Sequence, residues 1–166
     1  MIAIKIENLT KIYRRRHLGK LYKTVGVKNL TLEVREGEIF GLLGLNGSGK
    51  TTTIKLILGL LFPTEGKISI FENPFPDRSK LNLVGYLPEL PYFHKFLTGR
   101  EILRFFCQLS GIPEQNQENR IDEILNTVNL HNDSNKRISE FSKGMLQRLA
   151  IAQSLLHNPP LLIFDE

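Results

Sequence analysis

The sequence predicts an α/β fold: a core organised around a buried strand, opened by an antiparallel β element and interrupted by a block of helices. Three observations carry this. Apolar and polar residues alternate through Ile2, Ile4 and Ile6 and again through Leu30, Leu32 and Val34, the period of two that marks half-buried strands in a hairpin-like element. A continuous apolar run at residues 39–43 then enters a glycine-rich turn and a helical pattern at 52–61, as a strand buried on both faces does before a helix. From Thr98 the period is helical, until the apolar run "LLIF" at 161–164 restores a strand.

The elements follow in order. "PTEG" at 63–66 is a turn signal, "KISIF" at 67–71 alternates as a strand, and "LVGYLP" at 83–88 supplies another that Pro88 ends. Thr98 and Glu101 have the spacing of a capping box, in which each side chain bonds the other's backbone amide; Ile102, Phe105, Phe106 and Leu109 lie at helical spacing behind it, and Gly111 and Pro113 close the helix. Ile121, Ile124, Leu125 and Val128 repeat the pattern. Met145, Leu149, Ala150, Ala152 and Leu156 mark a third helix, ended by Asn158-Pro159. The polar stretches 113–119 and 131–136 read as connectors, and no internal repeat interrupts the chain.

At 166 residues and 41% hydrophobic composition, the chain has the size of one ordinary domain. Its formal charge of +5 suits phosphates, nucleic acid or anionic lipid without choosing among them. The one basic cluster, Arg14, Arg15, Arg16, His17, Lys20 and Lys23, reads as a solvated loop spanning 13–27. No aromatic or groove-reading residues accompany it, so no nucleic-acid partner is expected. Cys107 sits in an apolar stretch and reads as a small buried hydrophobe, while His131 and His157 lack metal-ligand spacing and read as ordinary polar positions. The alternating N-terminus does not resemble a signal peptide, and the most hydrophobic tract, 54–62, is too short to span a bilayer and contains Lys55. A cytoplasmic protein whose membrane role comes through a partner is expected.

The chemistry concentrates in "GLNGSGKT", residues 44–51, which satisfies G-x-x-x-x-G-K-[ST] between a strand and a helix. Gly44, Gly47 and Gly49, with Asn46 and Ser48 between them, let successive amides curl around the phosphates of a nucleotide, and the following helix adds its positive dipole end. Lys50 is placed to meet the β and γ phosphates, Thr51 to hold Mg²⁺ through its hydroxyl, and Thr52 to reach the α-phosphate side. The closing hexapeptide "LLIFDE" fits the same site, since an apolar strand ending in an acid orients Mg²⁺ opposite the Ser/Thr ligand. Asp165 takes that role. Glu166, one residue on, is expected to polarise the attacking water.

"EFSKGMLQRLAIAQSLLHNPPLLIFDE", residues 140–166, resembles the signature-to-strand block of ATP-binding cassette (ABC) ATPases. The signature, L-S-G-G-Q in most members, here reads Phe141-Ser142-Lys143-Gly144-Met145, with Gln147 and Arg148 following. The resemblance implies a P-loop NTPase core of the ABC type with ATP and Mg²⁺ as cofactors. It implies a head-to-tail dimer in which Ser142 and the backbone at Gly144 grip the γ phosphate held by a second nucleotide-binding domain. Glu89, in "VGYLPEL", stands where the family usually has a glutamine that reaches Mg²⁺ or the lytic water. Tyr13, in "LTKIYRRRH", matches the aromatic residue that stacks on adenine, with Tyr22 as the alternative.

The Y-L-P-E and F-S-K-G-M variants resemble bacterial ABC-2 export ATPases. Expected with them are an integral membrane permease as partner and a peripheral location at the inner face of the membrane. The resemblance further implies one incomplete ABC ATPase domain: a β element and P-loop core at 1–89, a helical subdomain with the signature at 90–157, and a returning core strand at 158–166. Such a piece alone is expected to bind nucleotide weakly and hydrolyse it poorly, because the shell that positions water is incomplete. Two other readings share the motifs: a soluble ABC ATPase acting on ribosomes or DNA, and a non-catalytic nucleotide-binding fragment.

Overall fold

Ile4, Ile6 and Leu9 anchor the N-terminal sheet in a computed structural model that describes residues 1–75 and 77–165. They lie on strand β1 (Ile2–His17), which pairs antiparallel with β2 (Lys20–Arg35) on one side and β3 (Glu65–Ile70) on the other; β4 (Asn73–Phe75) extends the sheet beyond β3. The pairing puts Ile4 opposite Val34 and Ile70, and Ile6 opposite Leu32 and Ile68. Apolar residues from three strands therefore share one buried face, the arrangement that alternation requires.

The hairpin is longer than the sequence suggests. Residues 13–27, expected as a loop, continue β1 and β2: past a register shift at Gly26 they run in register, with Tyr13 opposite Thr24 and Arg15 opposite Tyr22, to a two-residue turn at Leu18-Gly19. Aromatic and β-branched residues at 13, 22, 24 and 25 suit strands, and this local preference outweighs the charge that suggests a loop. Both turn residues have positive φ, 47° and 75°, which matches the twist of a tight hairpin.

Helix α1 (Lys50–Ile57) buries Thr53, Ile54, Leu56 and Ile57. It ends before the expected residue 61 because Gly59 turns left-handed, with φ 66°. The run at 39–43, expected as a central strand, is irregular, and Ile39 and Leu43 are more than 90% exposed. An apolar run becomes a strand only when neighbours complete its ladder, and no described strand pairs with it.

These elements form one compact unit, Met1–Leu81, and a second begins at Asn82. In the second, β5 (Val84–Leu87) and β6 (Leu161–Phe164) run parallel, with Val84 opposite Leu161 and Leu87 opposite Phe164. Three helices, α2 (Gly99–Leu109), α3 (Glu114–Thr127) and α4 (Lys143–Leu155), close on a core that includes Leu103, Ile121, Leu125, Leu149 and Cys107. Cys107 is fully buried, as its apolar setting implied, and burial raises its thiol pKa. The capping box of α2 forms as read from the sequence: the Glu101 amide donates to Thr98 Oγ1 at 3.2 Å and the Thr98 amide to Glu101 Oε2 at 2.8 Å. Helix α3 starts inside the stretch expected as a connector, because Pro113 sits at its N-cap and Gln117 folds inward to donate to the Ile112 carbonyl.

His157 joins the end of α4 to β5, its Nε2 3.3 Å from the Val84 carbonyl. Burial holds its imidazole below the ordinary value of 6.5, only partly opposed by that hydrogen bond, while nearby Arg120 adds to the lowering. Between the lowered folded value and 6.5, the unfolded chain carries a proton that the folded chain does not. Stability therefore rises with pH through that window and is lost on acidification through it. Denaturant melts between pH 7 and 5 should show this slope, and His157→Gln should flatten it; an unchanged slope would remove His157 as its cause.

Candidate functional site

In the first unit, the glycine-rich turn and helix α1 make a cradle open to solvent. Gly49 caps the helix in the left-handed region, φ 98° and ψ 8°, with no side chain satisfying the first amides and no acid in the first turn. Those amides and the dipole behind them face outward, ready for an anion. Lys50 Nζ folds back over the loop, donating to the Gly44 carbonyl at 2.7 Å and the Leu45 carbonyl at 3.3 Å. Asn46, Gly47 and Ser48 form the exposed crest, tied by the Ser48 amide donating to Leu45 O at 3.0 Å. The side chain of Thr51 is exposed at the helix start, whereas Thr53 is buried and its hydroxyl donates to Gly49 O at 3.0 Å.

Tyr13 comes to this cradle from β1. Its hydroxyl is 3.3 Å from Thr52 Oγ1, and Lys11 Nζ lies 5.5 Å from its ring centroid. The ring packs against Gly26 so closely that a Cβ there would stand 2.6 Å from Tyr13 Cε2. Tyr22 lies two residue pairs nearer the turn than Thr24, opposite Arg15, and forms no hydrogen bond with the cradle among the described residues. Of the two tyrosines weighed from sequence, the structure brings Tyr13 to the glycine-rich turn.

In the second unit, parallel β5 and β6 deliver their C-terminal ends to one edge of the pair. Asp165 follows β6, its amide donating to Leu87 O at 2.9 Å, and Glu89 follows β5 two residues past Leu87, exposed. Open α/β sheets bind ligands at this edge. Tyr86 donates its hydroxyl to Asp165 Oδ2 at 3.4 Å, and burial, then the Asp165 charge, raise its pKa. Glu166 lies outside the described residues. Ser142 caps α4, accepting from the Met145 amide at 3.2 Å, and Gly144 sits exposed in the first turn, again with no acid beside it.

The site residues thus fall into two sets, residues 44–52 with Tyr13 in one unit, and Glu89, Asp165, Ser142 and Gly144 in the other. The sequence matches the ABC transporter family over residues 27–166. The chain belongs to the ABC transporter family. It is 44% identical over 165 residues to the bacitracin transport ATP-binding protein BcrA of Bacillus licheniformis, covering 98% of this chain and 50% of that protein. It is 37% identical over 166 residues to Nod factor export ATP-binding protein I of Cupriavidus pinatubonensis, covering 98% of this chain and 51% of that protein. Among solved structures, a dimeric post-hydrolysis state of an ATP-binding cassette bound to ADP and Pi superposes with a TM-score of 0.82 at 27% identity, over 97% of this chain and 72% of that one. The chain spans about half the length of the curated relatives it matches.

The ABC ATPase fold expected from the motifs, with its antiparallel N-terminal sheet and helical segment, is the fold of these neighbours. Two contributors to the site escaped the sequence reading. Gly26 carries no motif, and only its packing under Tyr13 and against Gly49 reveals it. Tyr86 was visible as one residue of a strand, but its bond to Asp165 depends on the parallel register of β5 and β6.

Proposed function

We propose that the full-length protein is the ATP-binding and ATP-hydrolysing subunit of a membrane transporter, and that it works in export. The observation that carries this reading is the cradle at residues 44–51: an uncapped helix start, a left-handed glycine and a lysine whose ammonium rests on the loop's own carbonyls. Such an arrangement offers its amides and charge to a polyphosphate. The export relative among the matches supports the direction.

The amides of 44–51 hold the phosphates, Lys50 offsets charge on the β and γ groups, and Tyr13 stacks on adenine. The hydroxyl of Thr51 and the carboxylates of Glu89 and Asp165 are hard oxygen donors of the kind Mg²⁺ takes, and the bound ion supplies charge neutralisation. Glu166 accepts a proton from the attacking water, and the reaction proceeds by in-line displacement at the γ phosphate. Ser142 and Gly144 complete the site of a second nucleotide-binding domain in a head-to-tail dimer. An integral membrane permease carries the cargo path and holds the protein at the inner face of the membrane.

The test is ATP hydrolysis by the purified full-length protein with and without Mg²⁺. Mg²⁺-dependent turnover that Asp165→Asn abolishes is the expected result, and turnover indifferent to that change would overturn the assignment. Tyr13→Ala should raise the KM for ATP about tenfold or more, the scale of one lost base-stacking platform, with Tyr22→Ala near wild type. The reverse order would move adenine to Tyr22.

A further inference from the structure

Beyond Tyr13 and Gly26, the tip of the β1–β2 hairpin takes no part in the nucleotide site, and the hairpin's composition is lopsided. Residues 8–32 contain seven lysines and arginines and no acid, so the remainder of the chain, with 15 cations against 17 acids, is slightly negative. The entire positive excess sits on one hairpin. Arg14, Arg15, Arg16, Lys20 and Lys23 form no ion pair among the described residues.

Two features of this hairpin work against its own stability. Arg14 stands directly opposite Lys23, a like-charge cross-strand pair, and His17 stands opposite Lys20. Leu18 occupies a left-handed turn position, φ 47°, where Asn, Asp or Gly is favoured. Packing does not compensate, because Leu18 is 89% exposed, and Leu21 and Tyr22 beside it are exposed as well. Cations flanking a protruding aliphatic tip match a surface with anionic phosphates outside and an apolar phase just beneath. A nucleic-acid backbone would satisfy the cations but leave the two leucines in water.

We propose that the tip of the β1–β2 hairpin docks on anionic phospholipid, with Leu18 and Leu21 at the headgroup boundary and the arginines and lysines on lipid phosphates. This contact with lipid is direct, whereas the sequence alone pointed to membrane association only through a permease. It is independent of the nucleotide chemistry, since none of these side chains belongs to the cradle.

Co-sedimentation of the full-length protein with vesicles tests it. Binding is expected to vesicles of phosphatidylcholine containing one part in three of phosphatidylglycerol, and not to phosphatidylcholine alone. The triple variant Arg14→Gln, Arg15→Gln, Arg16→Gln should bind at least tenfold more weakly, as each cation near an anionic surface contributes about fivefold. Leu18→Asn should bind about tenfold more weakly while melting no lower than wild type, because Asn suits the left-handed turn that Leu strains. Absence of binding to the anionic vesicles would overturn the proposal, as would full binding by either variant. Displacement from vesicles by a mixed-sequence RNA, with Leu18→Asn binding that RNA as wild type does, would also overturn it and assign the hairpin to nucleic acid.

Discussion

Lys50→Ala in the full-length protein is expected to weaken ATP binding at least tenfold and to lower turnover by on the order of 10²–10³, the scale of losing one preorganised stabiliser of transition-state charge. The structure gives the reason. The Lys50 ammonium is held by two carbonyls at the start of its own loop, Gly44 at 2.7 Å and Leu45 at 3.3 Å, and pairs with no carboxylate among the described residues. A polyphosphate entering the cradle meets a charge already positioned. Lys50→Arg separates charge from shape: a planar guanidinium cannot replace a point charge inside a tight loop, so it should restore part of the affinity and little of the turnover. Equilibrium binding and steady-state hydrolysis measured on the three proteins decide this. ATP affinity unchanged in Lys50→Ala would show that the cradle does not hold phosphate, and the transport reading would fall with it.

What the sequence made legible, and what it hid, follows from how local each signal is. The capping box at Thr98 and Glu101 is settled within four residues and formed as read, whereas α1 begins at Lys50, two residues ahead of the helical pattern read from 52. The alternation of Ile2, Ile4 and Ile6 also sufficed, because each strand brings its own apolar face. The run at 39–43 failed as a strand because its apolar character says only that it needs partners, and no described strand provides them. The hairpin extension failed in the opposite sense: three consecutive arginines hid strand residues whose register is visible only when Tyr13 and Thr24 face each other. For the site, the motif named the residues of the cradle. It could not name Gly26, whose contribution is an absence of atoms where two other residues need room.

That absence leads to the second large expected effect, at Gly49. Alanine there meets two separate penalties. The backbone sits at φ 98°, a conformation that costs an L-residue roughly 1–2 kcal/mol. The added Cβ would also stand 2.3 Å from the Gly26 carbonyl oxygen and 3.1 Å from Val27 Cγ2, and a backbone atom cannot swing aside as a flexible side chain does. Relief requires the helix start and β2 to part, and Gly26 cannot retreat without disturbing Tyr13, which lies against it. Overpacking of this kind adds about 1–3 kcal/mol, so Gly49→Ala should lose on the order of 3 kcal/mol of stability and at least tenfold in nucleotide affinity. Gly47 supplies the control. Its φ of 83° carries a similar backbone penalty, but nothing lies within 4 Å of the Cβ it would acquire, so Gly47→Ala should cost only about 1–2 kcal/mol. Denaturant melts and nucleotide titrations of both variants should therefore rank Gly49→Ala as the more damaging. Equal losses would mean that the contact between Gly49 and β2 is not held in solution, and that the hairpin carrying Tyr13 is not locked to the phosphate cradle.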